Sequence, residues 1–143
     1  MDSLSKERRS WNMAQIRSKD TSPEKAVRSA IHRMGLRFRL HRADLPGRPD
    51  LVLPRYRIAL FVNGCFWHRH PNCRFAYTPK TRTAFWEKKF RDNVSRDMSA
   101  REALRKAGWR CVTIWECQTK KAGLEQRLST ALKRYTRRVR DMS

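Results

Sequence analysis

The 143-residue sequence predicts an α/β domain in which a mixed sheet is flanked by helices. Three observations lead there. Apolar runs of strand length occur at 51–53, 58–62 and 109–115, and stripes of helical period occur near the start, middle and end. Their order is helix, three strands, helix, strand, helix, with no repeat and no internal linker. The expected organisation is a basic N-terminal arm over 1–19 and a single domain over 20–143.

Within the arm, Met13 and Ile16 stand three apart, as on one face of a short helical turn. Thr21-Ser22-Pro23-Glu24 opens the first helix, with a hydroxyl cap and proline in the first turn. Val27, Ala30, Ile31 and Met34 form its buried stripe and Gly35 ends it. Glu24, three before Val27 and seven before Ile31, shares that inward stripe, an unusual place for a carboxylate. First-turn acids also complement the helix dipole, which is the alternative reason for its position.

Phe38 and Leu40 suggest a strand, and Leu45-Pro-Gly-Arg-Pro-Asp50 reads as a turn. Leu51–Leu53 and Ile58–Val62 flank Pro54-Arg55-Tyr56 as a hairpin would. A long helix is expected over about 82–107, closed by Gly108, with Phe90, Val94 and Leu104 inward. Asp97, seven from both Phe90 and Leu104, is a second acid on an apolar stripe. Trp109–Trp115 reads as a buried strand. A basic helix over 122–140 ends the domain, with Leu124, Leu128, Ala131, Leu132 and Tyr135 inward.

Lys and Arg number 34 against 13 Asp and Glu, a formal charge of +21. Such a field attracts polyanions, nucleic acid first among them. No apolar run approaches the roughly 20 residues that cross a bilayer, and the first residues lack the apolar core of a secretory signal. The expected location is cytoplasmic, where cysteines stay reduced and serve as metal ligands or core residues.

Cys65-x4-His70-x2-Cys73 places three soft or borderline ligands on a short loop, and Cys117 can supply a fourth. Three thiolates and one imidazole close a tetrahedral shell around zinc, a structural arrangement. Cys111, in mid-strand, reads as a small core thiol. His68, restrained by the same loop, has the one side chain whose ordinary titration range spans neutrality; its alternative is a surface contact to phosphate. Asp50 opens the strand paired to the one ending at Val62-Asn63, which sets a carboxylate beside the loop of His68. In so basic a chain an acid there suits Mg²⁺, although an Asp also commonly ends a Pro-Gly turn. Phe66-Trp67 and Phe85-Trp86 sit among Arg69, His70, Arg74, Lys80 and Arg82, so at least one pair is expected to face the polyanion. Apolar side chains can wedge between base steps and kink a duplex.

The motifs NMAQIRSKDTSPE (12–24), LPGRPD (45–50), FVNGCFWHRH (61–70), TRTAFWEKKFRDNVSRD (81–97) and GWRCVTIWEC (108–117) follow in order over nearly the whole chain. In them the chain resembles the very-short-patch mismatch repair endonucleases, a zinc-containing branch of the restriction-endonuclease-like superfamily. The resemblance implies a Mg²⁺-dependent endonuclease that nicks one DNA strand 5′ of the thymine in a T:G mismatch arising from deaminated 5-methylcytosine. By position it implies that Asp50 binds the metal, joined by the backbone carbonyl of Val62. It implies that His68 serves hydrolysis, and that Glu24 and Asp97 belong to the catalytic shell. Cys65, His70, Cys73 and Cys117 match the structural zinc ligands. Phe66, Trp67 and Trp86 match aromatics inserted beside the mismatch, and Met13 and Ile16 match an arm that clasps the opposite groove.

The sequence departs from the family pattern at Asn63, where a second active-site histidine is expected. Asparagine can hold a water or a phosphate oxygen but takes no proton near neutrality. Val62 replaces a threonine, and the loop between His70 and Cys73 is one residue longer. The expected partners are double-stranded DNA carrying a T:G mismatch and mismatch-repair proteins, with no membrane. The expected state is a monomer beside the bacterial nucleoid. Two alternatives stay open: a related endonuclease with a different or matched site, and an inactive binder of distorted DNA.

Overall fold

Glu24, Val27, Ala30 and Ile31 fall on one face of helix α1 (Ser22–Arg33), and all four are buried. The Thr21 hydroxyl caps that helix by accepting the Glu24 N–H at 3.4 Å. Gly35, at φ 78°, lies just beyond the Met34 cap, where a left-handed residue ends a helix. The computed structural model describes residues 21–141; Met13, Ile16 and the rest of the expected arm lie outside them.

Four strands form one mixed sheet in the order β1 (Arg39–Leu40), β2 (Leu51–Leu53), β3 (Ile58–Asn63), β4 (Arg110–Trp115). The first two pairings are antiparallel and β3–β4 is parallel. A 3-10 turn at Pro54–Tyr56 and the left-handed Arg57 (φ 53°) join β2 to β3. Arg57 also fastens the other end of the sheet. Its carbonyl accepts the Arg110 N–H at 2.8 Å, and its guanidinium donates to the Ala107 carbonyl at 3.0 Å.

Parallel pairing demands a long crossover, and helix α2 (Thr83–Lys106) supplies it. Alternation along the strands then sorts the core into two layers. Leu51, Leu53, Ile58, Leu60, Val112 and Ile114 face α1 and the terminal helix α4 (Leu124–Asp141), whose Leu128 and Leu132 are buried. Val52, Ala59 and Cys111 face the opposite way, onto Leu104 and Trp109. Each buried aliphatic side chain contributes roughly 2 kcal/mol. Arg33 of α1 pairs with Glu125 of α4 across the first layer.

Among the described residues the expected elements are present, with two corrections. Val94 is only half-buried, and the inward residue of that turn of α2 is the polar Asn93. A four-residue helix, α3 (Glu116–Thr119), follows β4 directly and was not foreseen. The Gln118 side chain accepts the Trp115 N–H at 2.9 Å and turns the chain there. Cys111 is half-buried against Leu104 and Trp109, as its mid-strand position suggests.

Candidate active site and metal shell

Strand register builds the site. Leu51 pairs with Leu60, so Asp50, just before β2, comes level with the end of β3. There the Val62 N–H donates to Asp50 Oδ2 at 2.6 Å. Gly47 (φ 73°) lets the preceding turn press against α2; an added Cβ would lie 2.6 Å from the Ala100 Cβ. Glu24 reaches the same place from the first turn of α1. Burial, set against the hydrogen bond from Val62 and reinforced by the Glu24 charge, pushes Asp50 up to about 7.

Glu24 is held in turn. Arg28, one turn along α1, donates to Glu24 Oε2 at 3.2 Å and also lies 3.1 Å from His41 Nε2. His41 is tied back to the centre, since its backbone N–H donates to the Asp50 carbonyl at 3.3 Å.

The other wall is α2. Asp97 Oδ2 lies 2.6 Å from His68 Nδ1. A carboxylate at that nitrogen keeps the proton on Nδ1 and leaves the Nε2 lone pair free to accept one. The two carboxylate–backbone and carboxylate–imidazole pairs line one cleft of about 650 Å³, together with Glu24, Asn63 and Trp67. Among the described residues lining that cleft, His68 is the one histidine. Arg101 is committed to the Thr113 hydroxyl at 2.8 Å. Arg48 and Arg96 also line the cleft, and among the described residues neither guanidinium has a hydrogen-bond or ion-pair partner. Two cations thus remain to meet an anion. Two adjacent acids, the buried Glu24 and the half-buried Asp50 that is raised to about 7, concentrate negative charge that a hard divalent cation fits.

The sulfur cluster follows from the parallel register. Asn63 pairs with Trp115, and Cys65 and Cys117 each lie two residues beyond that pair. The ligand atoms of Cys65, His70, Cys73 and Cys117 all lie within 4.8 Å of one another. His70 turns Nδ1 inward, 3.7 Å from Cys65 Sγ and 3.5 Å from Cys117 Sγ. Its ring stacks on Trp115 at 4.2 Å. Burial pushes the Cys65 thiol up to about 12, and burial with the Lys121 charge lowers His70, which favours the neutral imidazole that a metal needs. Three thiols converging on one point fit a soft dication, which offsets the charge of ionising them. Cys111 stands outside the cluster.

The loop between Cys65 and His70 is knit tightly. The His68 N–H donates to the Gly64 carbonyl and the His70 N–H to that of Cys65, both at 3.1 Å. Asn93 donates to the Trp67 carbonyl at 3.2 Å. The sequence already carried this signal, a polar residue three beyond Phe90 on an apolar stripe, but only Asp97 was singled out. The two aromatic pairs differ in exposure. Trp67 is 7% exposed and Phe66 half-buried, so this pair does not stand outward. Phe66 packs on Trp67, Tyr77, Trp86 and Phe90 with centroids 5.1 to 5.6 Å away. The outward rings of this cluster are Phe85 and Tyr77, 45% and 60% exposed.

Known proteins match this chain closely. A family model described as DNA mismatch endonuclease Vsr matches residues 1–74. The type II nicking enzyme V.XorIIP of Xanthomonas oryzae pv. oryzae is 52% identical over 132 residues, covering 92% of this chain and 96% of that protein. DNA mismatch endonuclease Vsr of Escherichia coli is 46% identical over 109 residues, 76% of this chain and 69% of that protein. The type II nicking enzyme V.NmeAIP of Neisseria meningitidis is 36% identical over 141 residues, 98% of this chain and 97% of that protein.

Proposed function

The chain belongs to the very-short-patch repair endonuclease family, and we propose that it nicks one DNA strand 5′ of the thymine in a T:G mismatch, using Mg²⁺. It is a DNA endonuclease, and its mixed sheet flanked by helices is the restriction-endonuclease-like fold of that family. One observation carries the finer reading: Asp50 and the Asp97-braced His68 line a single cleft.

Each residue then has a task. Asp50 and the Val62 carbonyl would hold Mg²⁺, with Glu24 beside them. When bound, the cation supplies charge neutralisation at the scissile phosphate and acidifies water. His68 Nε2 accepts the proton of the attacking water, while Asp97 fixes its tautomer and stabilises the imidazolium that forms. Arg48 and Arg96 grip phosphates along the strand. Asn63, buried at 4% exposure, orients a water or phosphate oxygen but transfers no proton, which leaves the proton transfer to His68. Cys65, His70, Cys73 and Cys117 hold Zn²⁺ in a structural role. The half-buried Phe66 and Trp86, backed by the buried Trp67, form the edge set against the mismatch, where poor pairing makes distortion cheapest. Met13 and Ile16 engage the opposite groove. Mismatch-repair proteins are the expected partners of a monomer acting in the cytoplasm.

The test is a nicking screen with Mg²⁺ over duplexes carrying T:G and other mismatches in varied flanks, with the cut mapped. A single cut 5′ of the thymine is expected, abolished in Asp50→Ala. Full activity of Asp50→Ala would overturn the assignment. A second reading rests on the relative at 52% identity, which is named a nicking enzyme. A related recognition site would appear in the same screen as nicking confined to a different flank or to matched DNA.

A further inference from the structure

Arg69 stands between His68 and His70 in a chain of charge +21, where the simplest expectation is a contact to DNA phosphate. Its guanidinium turns the other way. Nη1 donates to the carbonyls of Phe66 at 3.3 Å and Tyr77 at 3.0 Å. Nη2 donates to the Ala76 carbonyl at 2.8 Å and to the Thr78 hydroxyl at 3.3 Å. The guanidinium carbon lies 3.9 Å from the centre of the Phe90 ring, so one face is covered as well. Four of its five N–H groups are therefore spent on the protein's own chain. The backbone adopts a left-handed conformation, φ 55°, to aim the side chain inward.

We propose that Arg69 is a positioning residue for the nicking reaction, an internal clamp that holds the Phe66–His68 turn against segment 76–78. The metal shell, Asn93, the Asp97–His68 contact and the two backbone bonds hold that turn, and none of them ties it to segment 76–78. Cys65 and His70 anchor its two ends, and Asn93 catches the Trp67 carbonyl. Segment 76–78 lies beyond Cys73, the last ligand of the loop, and leads towards α2. By bridging the two segments, Arg69 sets the pose of Phe66 and, through the same turn, the height of His68 in the cleft. Only a planar fork reaches four acceptors at once while stacking on a ring; a lysine ammonium does neither. The catalytic consequence rests on the proposed nicking function, whereas the clamp itself does not.

The experiment compares wild type, Arg69→Lys, Arg69→Gln and, as a phosphate-contact reference, Arg48→Gln. Zinc content per chain verifies the fold, and if Arg69→Gln loses zinc, Arg69→Lys carries the same readings. Binding to a fully matched duplex across a salt series is expected to keep the wild-type slope in both Arg69 variants and to lose about one unit in Arg48→Gln. Amide exchange at 66–68 and 76–78 is expected to quicken in both Arg69 variants. Single-turnover nicking at saturating mismatched DNA is expected to fall about tenfold or more with KM little changed, and Lys is expected not to rescue it. A salt slope reduced by one unit with unchanged exchange would make Arg69 a phosphate contact and overturn the proposal. Full activity in Arg69→Lys would also overturn it. If wild type nicks none of the mismatched duplexes, the functional reading fails, while slope and exchange still decide the clamp.

Discussion

Asp50 and His68, to which we assign cation binding and proton transfer, are held by different neighbours, the Val62 N–H and the Asp97 carboxylate. Burial, with the Glu24 charge beside it, raises Asp50 to about 7. A raised carboxyl favours the folded state while protonated. That contribution is complete below about pH 4, the unfolded value, and fades as pH climbs through about 7. The metal-free protein should therefore lose thermal stability between those limits, and Mg²⁺ should restore it at pH 8 but hardly at pH 5. A thermal-shift series over pH with and without Mg²⁺ measures this; a Mg²⁺ shift as large at pH 5 as at pH 8 would contradict it. For His68, the Asp97 contact at 2.6 Å makes two variants informative. His68→Ala should slow single-turnover nicking about 100-fold or more, the usual range for a lost general base. Asp97→Asn should slow it as well without weakening DNA binding, because it disturbs only the tautomer and orientation. Glu24 and Asp97 were legible in the sequence because each interrupts an apolar stripe. The inward turn of Arg69 was not, since charge and neighbours along the chain say nothing of four acceptors folded back around it.

Turn 45–50 and strands β3 and β4 carry the precision of the site. Gly47 is the tightest point, with a left-handed φ and no room for a methyl group beside Ala100. Gly47→Ala should cost roughly 2 kcal/mol or more, combining overpacking with backbone strain, and should lower activity by displacing Asp50. Denaturant unfolding with parallel nicking assays checks both. Cys117→Ser should open the metal shell and destabilise the fold by about 3 kcal/mol, near 10 °C in Tm, with zinc lost on dialysis. An unchanged Tm would mean that the cluster has no structural role. The hairpin that brings Asp50 to Val62 was foreseeable, because its strands are short and adjacent in sequence. Helix α3 was not, for it depends on a side-chain bond from Gln118 to the end of a strand.

Across the whole molecule, the formal charge of +21 governs encounter with DNA more than it governs the fold. Affinity for matched duplex should fall steeply with salt, about 1,000-fold or more between 50 and 200 mM if six or more phosphates are contacted. Fluorescence anisotropy measures this, and a flat profile would leave the basic surface without a role in binding. The mixed sheet with helices on both faces was readable from the order of periodic segments. The parallel mating of β3 with β4 was not, because the pairing spans the whole of α2 and leaves no local trace. Yet that pairing has a consequence for how the chain matures. Cys65 and Cys117 stand equally far past a mated pair of strand ends, so a one-step slip of β4 would carry Cys117 about 3.3 Å out of line. A mis-threaded chain could then not close the sulfur cage. A metal ion held at the four ligands would thus report on the register of the sheet, and the loop of His68, anchored at Cys65 and His70, depends on that register.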